Sequence, residues 1–208
     1  MNPNSLPASY FERMYAESDD PWGFDSRWYE QRKYALTLAA LPRQRYRRAF
    51  EPGCSVGVLT AMLATRCDAL LATDVAAVAL QRADVRLAAA NTDCAVELQQ
   101  WALGTSWPQR TFDLIVFSEL GYYLDAEAWR GALDAAVAAL EPGGTLLCAH
   151  WRHPVVDYPQ SGDAVHAAAR NTDGVVWTGG YTDADFLLDV FAATKTSAQS
   201  VAEAEGLV

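Results

Sequence analysis

Glu51-Pro52-Gly53-Cys54-Ser55-Val56-Gly57 is followed, seventeen residues after its last glycine, by Asp74 at the end of a short apolar run. A glycine-rich turn between a strand and a helix lets backbone come within contact distance of a ligand, and a carboxylate at the tip of the next strand accepts both hydroxyl hydrogens of a ribose. The pair therefore points to a nucleoside-bearing ligand. Glu51-Pro52-Gly53 also reads as a plain turn at a strand end, and the loop alone does not choose between the two.

The kind of ligand follows from what the loop lacks. A P-loop carries Lys and then Ser or Thr after its last glycine, whereas Gly57 is followed by Val58-Leu59-Thr60. The dinucleotide fingerprint Gly-x-Gly-x-x-Gly is absent too, and Glu51 stands two residues before Gly53, where its charge repels a phosphate. The same carboxylate suits a cationic ligand such as S-adenosylmethionine, with its ammonium and sulfonium groups.

Outward from the loop, strands and helices alternate. Arg48–Glu51 reads as a first strand, and Val58, Leu59, Met62, Leu63 and Arg66 follow at helical spacing. Leu70–Asp74 is a second strand, Ala76–Ala90 an Ala-rich helix and Ala95–Gln99 a third strand. Phe112-Asp113-Leu114-Ile115-Val116-Phe117 is the clearest strand, its nearly unbroken apolar run suiting a central position covered on both faces. Trp129, Leu133, Val137 and Leu140 line one helical face, Glu141-Pro142-Gly143-Gly144 stops that helix, and Thr145–Ala149 is a fifth strand. This alternation specifies an α/β fold with a parallel sheet and a ligand crevice at the carboxyl ends of the strands. The Gly loop, Asp74, Gln100-Trp101 and Ser118 to Tyr123 gather on that edge.

Before this core, Ser26–Leu41 reads as a helix capped by Asp25 or Ser26 and stopped before Pro42; with Tyr10-Phe11 and Pro21-Trp22-Gly23-Phe24 ahead of it, it forms a lid. Beyond the core, Gly162–Asn171 is helical, Trp177–Tyr181 and Phe186–Phe191 are terminal strands, and Thr194–Val208 is a frayed tail. The expected division is a helical lid over 1–42, a core over 43–193 and a flexible tail over 194–208.

The 208 residues suit one domain, and 51% hydrophobic against 20% charged residues is a globular composition. No apolar run approaches the roughly 18 residues that span a bilayer, and Met1-Asn2-Pro3-Asn4-Ser5 lacks a basic start, so a cytoplasmic protein without a membrane partner is expected. The net charge of −10 is uneven: residues 1–50 hold eight Lys/Arg against six Asp/Glu, and the rest hold eight against twenty. Polyanion binding needs a basic surface. The cluster Arg43, Arg45, Arg47 and Arg48 reads at least as well as a solvated connection, so nucleic acid is not an expected partner. Cys54, Cys67, Cys94 and Cys148 form no Cys-x-x-Cys pair, which suggests neither zinc nor a disulfide framework. Cys54 reads as a small side chain beside the ligand, with no neighbouring base to make it a nucleophile. His150-x-x-His153 lacks a third ligand at reliable spacing, so no metal is expected.

Glu51-x-Gly53-x-Ser55-x-Gly57, Asp74, the run Phe112 to Leu124 and Leu140-Glu141-Pro142-Gly143-Gly144 resemble, in order and spacing, the class I S-adenosylmethionine-dependent methyltransferases. Asp20-Pro21-Trp22, the Tyr29 to Tyr34 segment, Ser118-Glu119-Leu120-Gly121-Tyr122-Tyr123-Leu124 and His150-Trp151-Arg152-His153-Pro154 narrow the resemblance to the nodulation protein S group of small N-methyltransferases. It covers roughly residues 20–190. It implies a Rossmann-like methyltransferase fold, a mostly parallel seven-stranded sheet with helices on both faces, S-adenosylmethionine as cofactor and a small polar amine, such as an amino sugar, as acceptor. A small-molecule O-methyltransferase and a non-catalytic adenosylmethionine-binding regulator are the competing readings.

By the same resemblance, Gly53 and Gly57 allow close approach, Asp74 holds the ribose, Val75 packs on the adenine and Glu51 sits near the methionine portion. Ser55 replaces the middle glycine, which suits a backbone at negative φ, and adds a hydroxyl. Gln99-Gln100-Trp101 lacks the acidic residue many relatives set against the adenine amine; Gln100 offers an amide instead and Trp101 a stacking face or a core ring. Trp22 and Arg32 are lid candidates, the first over the sulfonium, the second on the cofactor carboxylate; alternatively they are a packed aromatic and a solvated charge. Glu119 either orients the amine or is a structural hydrogen-bond partner, with Ser118 beside it. Tyr122 and Tyr123 are wall and floor, one facing the core and the other the acceptor. His150 is a candidate general base, and His153 and His166 are further candidates near the acceptor.

Overall fold

The computed structural model describes residues 5–90, 92–194 and 198–208. Phe112–Ser118, the strand β4 of the numbering used below, shows why the core forms. Ile115 and Phe117 face one side with Phe50, Trp129, Leu133 and Val165, while Leu114 and Val116 face the other with Tyr34, Leu59, Leu63 and Leu188. The two-residue repeat of a strand thus supplies two apolar layers at once. Trp129 is fully buried and donates its indole N–H to the Val165 carbonyl at 3.0 Å, so its one polar atom costs nothing inside.

In chain order the elements are α1 (Ala8–Glu17), α2 (Trp28–Ala40), β1 (Tyr46–Pro52), α3 (Val58–Ala64), β2 (Cys67–Asp74), α4 (Ala77–Ala89), β3 (Ala95–Gln100), β4, α5 (Ala126–Ala139), β5 (Leu140–Trp151), α6 (Gly162–Arg170), β6 (Val175–Thr182), β7 (Phe186–Ala193) and α7 (Val201–Ala204), with a 3-10 turn at Gly121–Tyr123. The sheet order is β3-β2-β1-β4-β5-β7-β6, parallel through β5 and antiparallel at β7. Its order reverses between β1 and β4, which opens the crevice over their carboxyl ends.

Several boundaries depart from the sequence reading for identifiable reasons. The helix α2 begins at Trp28 with Arg27 at its N-cap, and neither Asp25 nor Ser26 caps it by side chain. Asp20 takes the N–H groups of Phe24 and Asp25 at 2.9 and 3.0 Å, so the Asp20-Pro21-Trp22 stretch is a closed turn that ends before the helix starts. The lid region holds a separate helix, α1, ahead of the one the sequence delimits. Glu141 to Gly144 belongs to an irregular start of β5, with a register shift opposite Phe112 and Leu114. The expected tail contains α7, a single turn closed by a Ser200–Glu203 capping box; its residues 195–197 lie outside the described residues. The Arg cluster sits at the far end of β1 from the crevice, where Arg47 and Arg48 pair with Glu141 and their N–H groups reach the buried Asp113 carboxylate at 3.0 and 2.9 Å. Among the described residues no helix is long and apolar enough to cross a membrane.

Candidate active site

Four strand ends meet in one cleft. Glu51-Pro52 closes β1, Asp74-Val75 closes β2, Trp101 follows β3 and Ser118-Glu119 closes β4; with α1, the Trp22 turn and Leu120 to Leu124 they surround about 940 Å³ of space, the open mouth included.

The Gly loop turns its own amides inward. Gly53 and Cys54 donate to the Thr73 carbonyl at 2.7 and 2.8 Å, Gly57 to Cys54 at 3.0 Å, and Ser55 to Asp74 Oδ2 at 2.9 Å. With these amides engaged, the loop offers no phosphate nest, as the sequence indicated. Asp74 Oδ1 receives the Ala76 N–H at 2.9 Å and the Val75 N–H also donates to this carboxylate, which still leaves it acceptor capacity for a ligand hydroxyl. The two glycines have different tasks. A Cβ on Gly53 would meet Leu120 at 3.0 Å at the cleft wall, whereas one on Gly57 would meet Ala83 of α4 at 2.9 Å. Gly57 therefore serves helix packing and does not line the cleft. Ser55 has φ +52°, contrary to the negative φ expected, and its hydroxyl accepts from Tyr15 at 2.6 Å.

Glu51 lines the cleft with only 2% exposure, and its Oε2 has no hydrogen-bond partner. Burial pushes its carboxyl up to about 8, and the Asp74 charge adds to the shift. A buried carboxyl with one unpaired oxygen, lining a cavity, fits a cationic ligand group, which would both pair with it and drive its ionisation. Cys54 lies beside it with a thiol raised well above its usual range by burial, which leaves it unreactive.

The lid comes from α1 and the Trp22 turn. Phe11 meets the Tyr123 ring edge-on at 4.9 Å, Trp22 stacks on Phe24 at 5.5 Å, and Leu6 N–H donates to the Tyr123 carbonyl at 2.8 Å. Arg82 of α4 holds the end of α1 through the carbonyls of Tyr15, Ser18 and Asp19. Trp101 meets Phe50 edge-on and donates to Ser106, so it is at once a core ring and a cleft wall.

Glu119 leaves β4 with φ +54°, in the left-handed region that a non-glycine residue seldom occupies. Its Oε1 lies 2.7 Å from Lys33 Nζ, and its Oε2 accepts from the Tyr122 hydroxyl and, at 3.4 Å, from the Trp151 N–H. Lys33 is itself buried and also pairs with Glu30 at 2.8 Å. Sequence reasoning missed Lys33, because a lysine on an amphipathic helix reads as solvated; the signal was its Glu30 partner one turn earlier and the flanking Tyr29 and Tyr34.

Other expected site residues lie elsewhere. His150 is fully buried and outside the cleft lining. Its Nε2 accepts the Gly121 N–H at 3.0 Å, its Nδ1 meets His166 Nε2 at 3.1 Å, and His166 Nδ1 meets Asp189 at 2.7 Å. The lone pair needed for a general base is thus occupied, and burial, with His166 and Lys33 nearby, pushes its pKa well below the usual imidazole range. Arg32 is spent on Asp183 at 2.8 Å and on Tyr181. Gln100 donates to the Val75 carbonyl at 2.8 Å, outside the lining, and His153 pairs with Asp185 at the surface. Tyr122 is a buried strut stacked on Tyr158, whereas Tyr123 does line the cleft.

The cleft and its fold match known proteins. The family profile for Nodulation protein S (NodS) matches residues 10–169. Nodulation protein S from Bradyrhizobium diazoefficiens is 33% identical over 145 residues, which are 65% of this chain and 68% of that one. The crystal structure of N-methyltransferase NodS from Bradyrhizobium japonicum WM9 in complex with S-adenosyl-L-homocysteine superposes with a TM-score of 0.75 at 25% identity, covering 89% of this chain and 97% of that one. A Pseudomonas syringae protein described as a candidate methyltransferase shares 46% identity with a TM-score of 0.68, over 80% of this chain and 99% of its own. With the strand order, the Gly loop and Asp74 in the same cleft, these matches place the chain in the nodulation protein S family, and it is an S-adenosylmethionine-dependent methyltransferase.

Proposed function

We propose that the chain methylates the nitrogen of a small polar amine, with amino sugars as the preferred class. Glu119 carries this reading: it is an acidic residue with left-handed backbone at the end of the central strand, and it lines the cleft. Backbone strain of that kind costs on the order of 1–3 kcal/mol and persists where the surroundings hold it for a purpose. The relative whose structure is described as an N-methyltransferase supports the choice of nitrogen.

S-adenosylmethionine supplies a methyl group already activated on a sulfonium. Asp74 would accept from its ribose hydroxyls, Val75 and Trp101 would flank its adenine, and Glu51 would pair with its ammonium. Gly53, Cys54 and Ser55 form the floor by backbone, and Trp22 closes the cleft from the lid. Ser118 lines the junction of the cofactor and acceptor ends, and Tyr123 is the acceptor floor. Glu119 offsets the positive charge of an arriving ammonium and receives its proton, which frees the nitrogen lone pair. Positioning in a cleft shielded from water contributes the larger part of the rate, several kcal/mol in comparable cases.

The test is S-adenosylhomocysteine release with S-adenosylmethionine as donor across amines, amino sugars and phenols. Turnover with primary amines and amino sugars is expected. Turnover confined to phenols or other hydroxyls overturns the reading.

A further inference from the structure

Lys33 does not line the cleft, yet among the described residues it is the only cation bonded to Glu119, which does. It is 1% exposed and surrounded by rings, with Nζ 5.0 Å from the Tyr29 centroid and 5.3 Å from that of Tyr34. An ammonium so enclosed has given up its water and is held by Glu119 at 2.7 Å and Glu30 at 2.8 Å. With both carboxylates ionised the three groups carry one net negative charge.

We infer that Lys33 is a positioning residue for the acceptor: it fixes the Glu119 carboxylate at the cleft wall against the repulsion of the buried Glu30, and so sets the charge that receives a cationic amine. This rests on the amine reading above. Without Lys33, two carboxylates would share a water-poor site, and such pairs take up a proton. The negative charge of the pair would then fall, and the strained backbone of Glu119 would lose the contact that fixes Oε1.

The other titratable groups facing Glu119 are silent near neutrality. Tyr29, Tyr34 and Tyr122 are all raised by burial, with nearby carboxylates adding to it. Burial likewise raises Tyr123 and Tyr158. His150 is held neutral by burial, with His166 and Lys33 adding to the effect. A pH profile that moves when Glu30 or Lys33 is replaced is therefore a readout of this buried cluster.

The experiment compares the wild type with Lys33→Met, Lys33→Arg and Glu30→Gln, measuring S-adenosylhomocysteine affinity and the pH profile of kcat/KM with an amine acceptor. Lys33→Met is expected to bind S-adenosylhomocysteine within about threefold of the wild type and to lose about 10- to 100-fold in kcat/KM, with the acid limb moved to higher pH. Lys33→Arg keeps the charge and restores most of the rate, and Glu30→Gln moves the acid limb to lower pH. Should Lys33→Met not fold, the Arg and Gln variants still decide. An unmoved pH profile in the variants that fold, or a loss of ligand affinity in parallel with rate, overturns the inference. Failure of the amine reading is distinguishable, since it appears in the wild type alone as transfer only to hydroxyls.

Discussion

Glu51 makes ligand binding depend on pH in a calculable way. Its buried carboxyl titrates near 8 in the unliganded protein, so at pH 6 only about one molecule in a hundred carries the charge that pairs with a ligand ammonium, against about half at pH 8. If the complex holds Glu51 ionised, S-adenosylhomocysteine affinity rises roughly 50-fold between pH 6 and pH 8, about 2.4 kcal/mol. Binding at pH 7 releases about 0.9 proton. The sign for stability is opposite. A carboxyl raised from 4.5 to about 8 favours the folded state below the lower value and withdraws that stability as pH rises through the upper one, so the unliganded protein loses stability across this window. The assay is calorimetric titration at pH 6, 7 and 8 in buffers of different ionisation enthalpy, with thermal unfolding alongside. Glu51→Gln should bind no more tightly than the wild type at pH 6, show little pH dependence, and withstand heat better than the wild type at pH 8. Because Asp74 remains in that variant, any pH dependence it contributes is left in the control. Equal wild-type affinity at pH 6 and pH 8 without proton release would refute the pairing.

Three further outcomes follow from single contacts. Asp74→Ala removes a charged acceptor and should weaken S-adenosylhomocysteine binding by about 1.5–3 kcal/mol; unchanged affinity in a folded protein, checked by circular dichroism, removes the ribose assignment. Glu119→Gln should keep cofactor affinity while lowering turnover of protonated amines by about 10- to 1000-fold, less at high pH; wild-type rates across the pH range would leave positioning as the sole catalytic term. Gly57→Ala puts a methyl 2.9 Å from Ala83 at φ +78° and should cost about 2–4 kcal/mol in denaturant unfolding, with S-adenosylhomocysteine affinity within about threefold. An unchanged unfolding midpoint would contradict the packing role.

What the chain disclosed before folding was mainly its periodicity and its loop chemistry. The alternation of Leu114 and Val116 with Ile115 and Phe117 is local, so β4 could be read directly, and the Gly loop and Asp74 signal a ligand by residue type. The lid was harder. The helix α1 is held by Arg82, Tyr123 and Ser55 from distant parts of the chain, and nothing in Ala8–Glu17 announces those partners. His150 shows the converse limit: its position at the end of β5 suggested a base, but the Gly121 amide that blocks it comes from a turn twenty-nine residues earlier. Arg32 and Lys33 are adjacent in sequence, yet one pairs with the β6–β7 turn and the other with Glu119, a distinction set by the facing of α2 against the finished sheet.

The most direct test of amine methylation uses matched acceptors in which an amine replaces a hydroxyl, glucosamine against glucose among them. With S-adenosylmethionine as donor, kcat/KM should favour the amine by roughly two orders of magnitude or more, and product spectroscopy should place the methyl group on nitrogen. Methyl groups on oxygen, or equal rates for both members of each pair, would contradict the account.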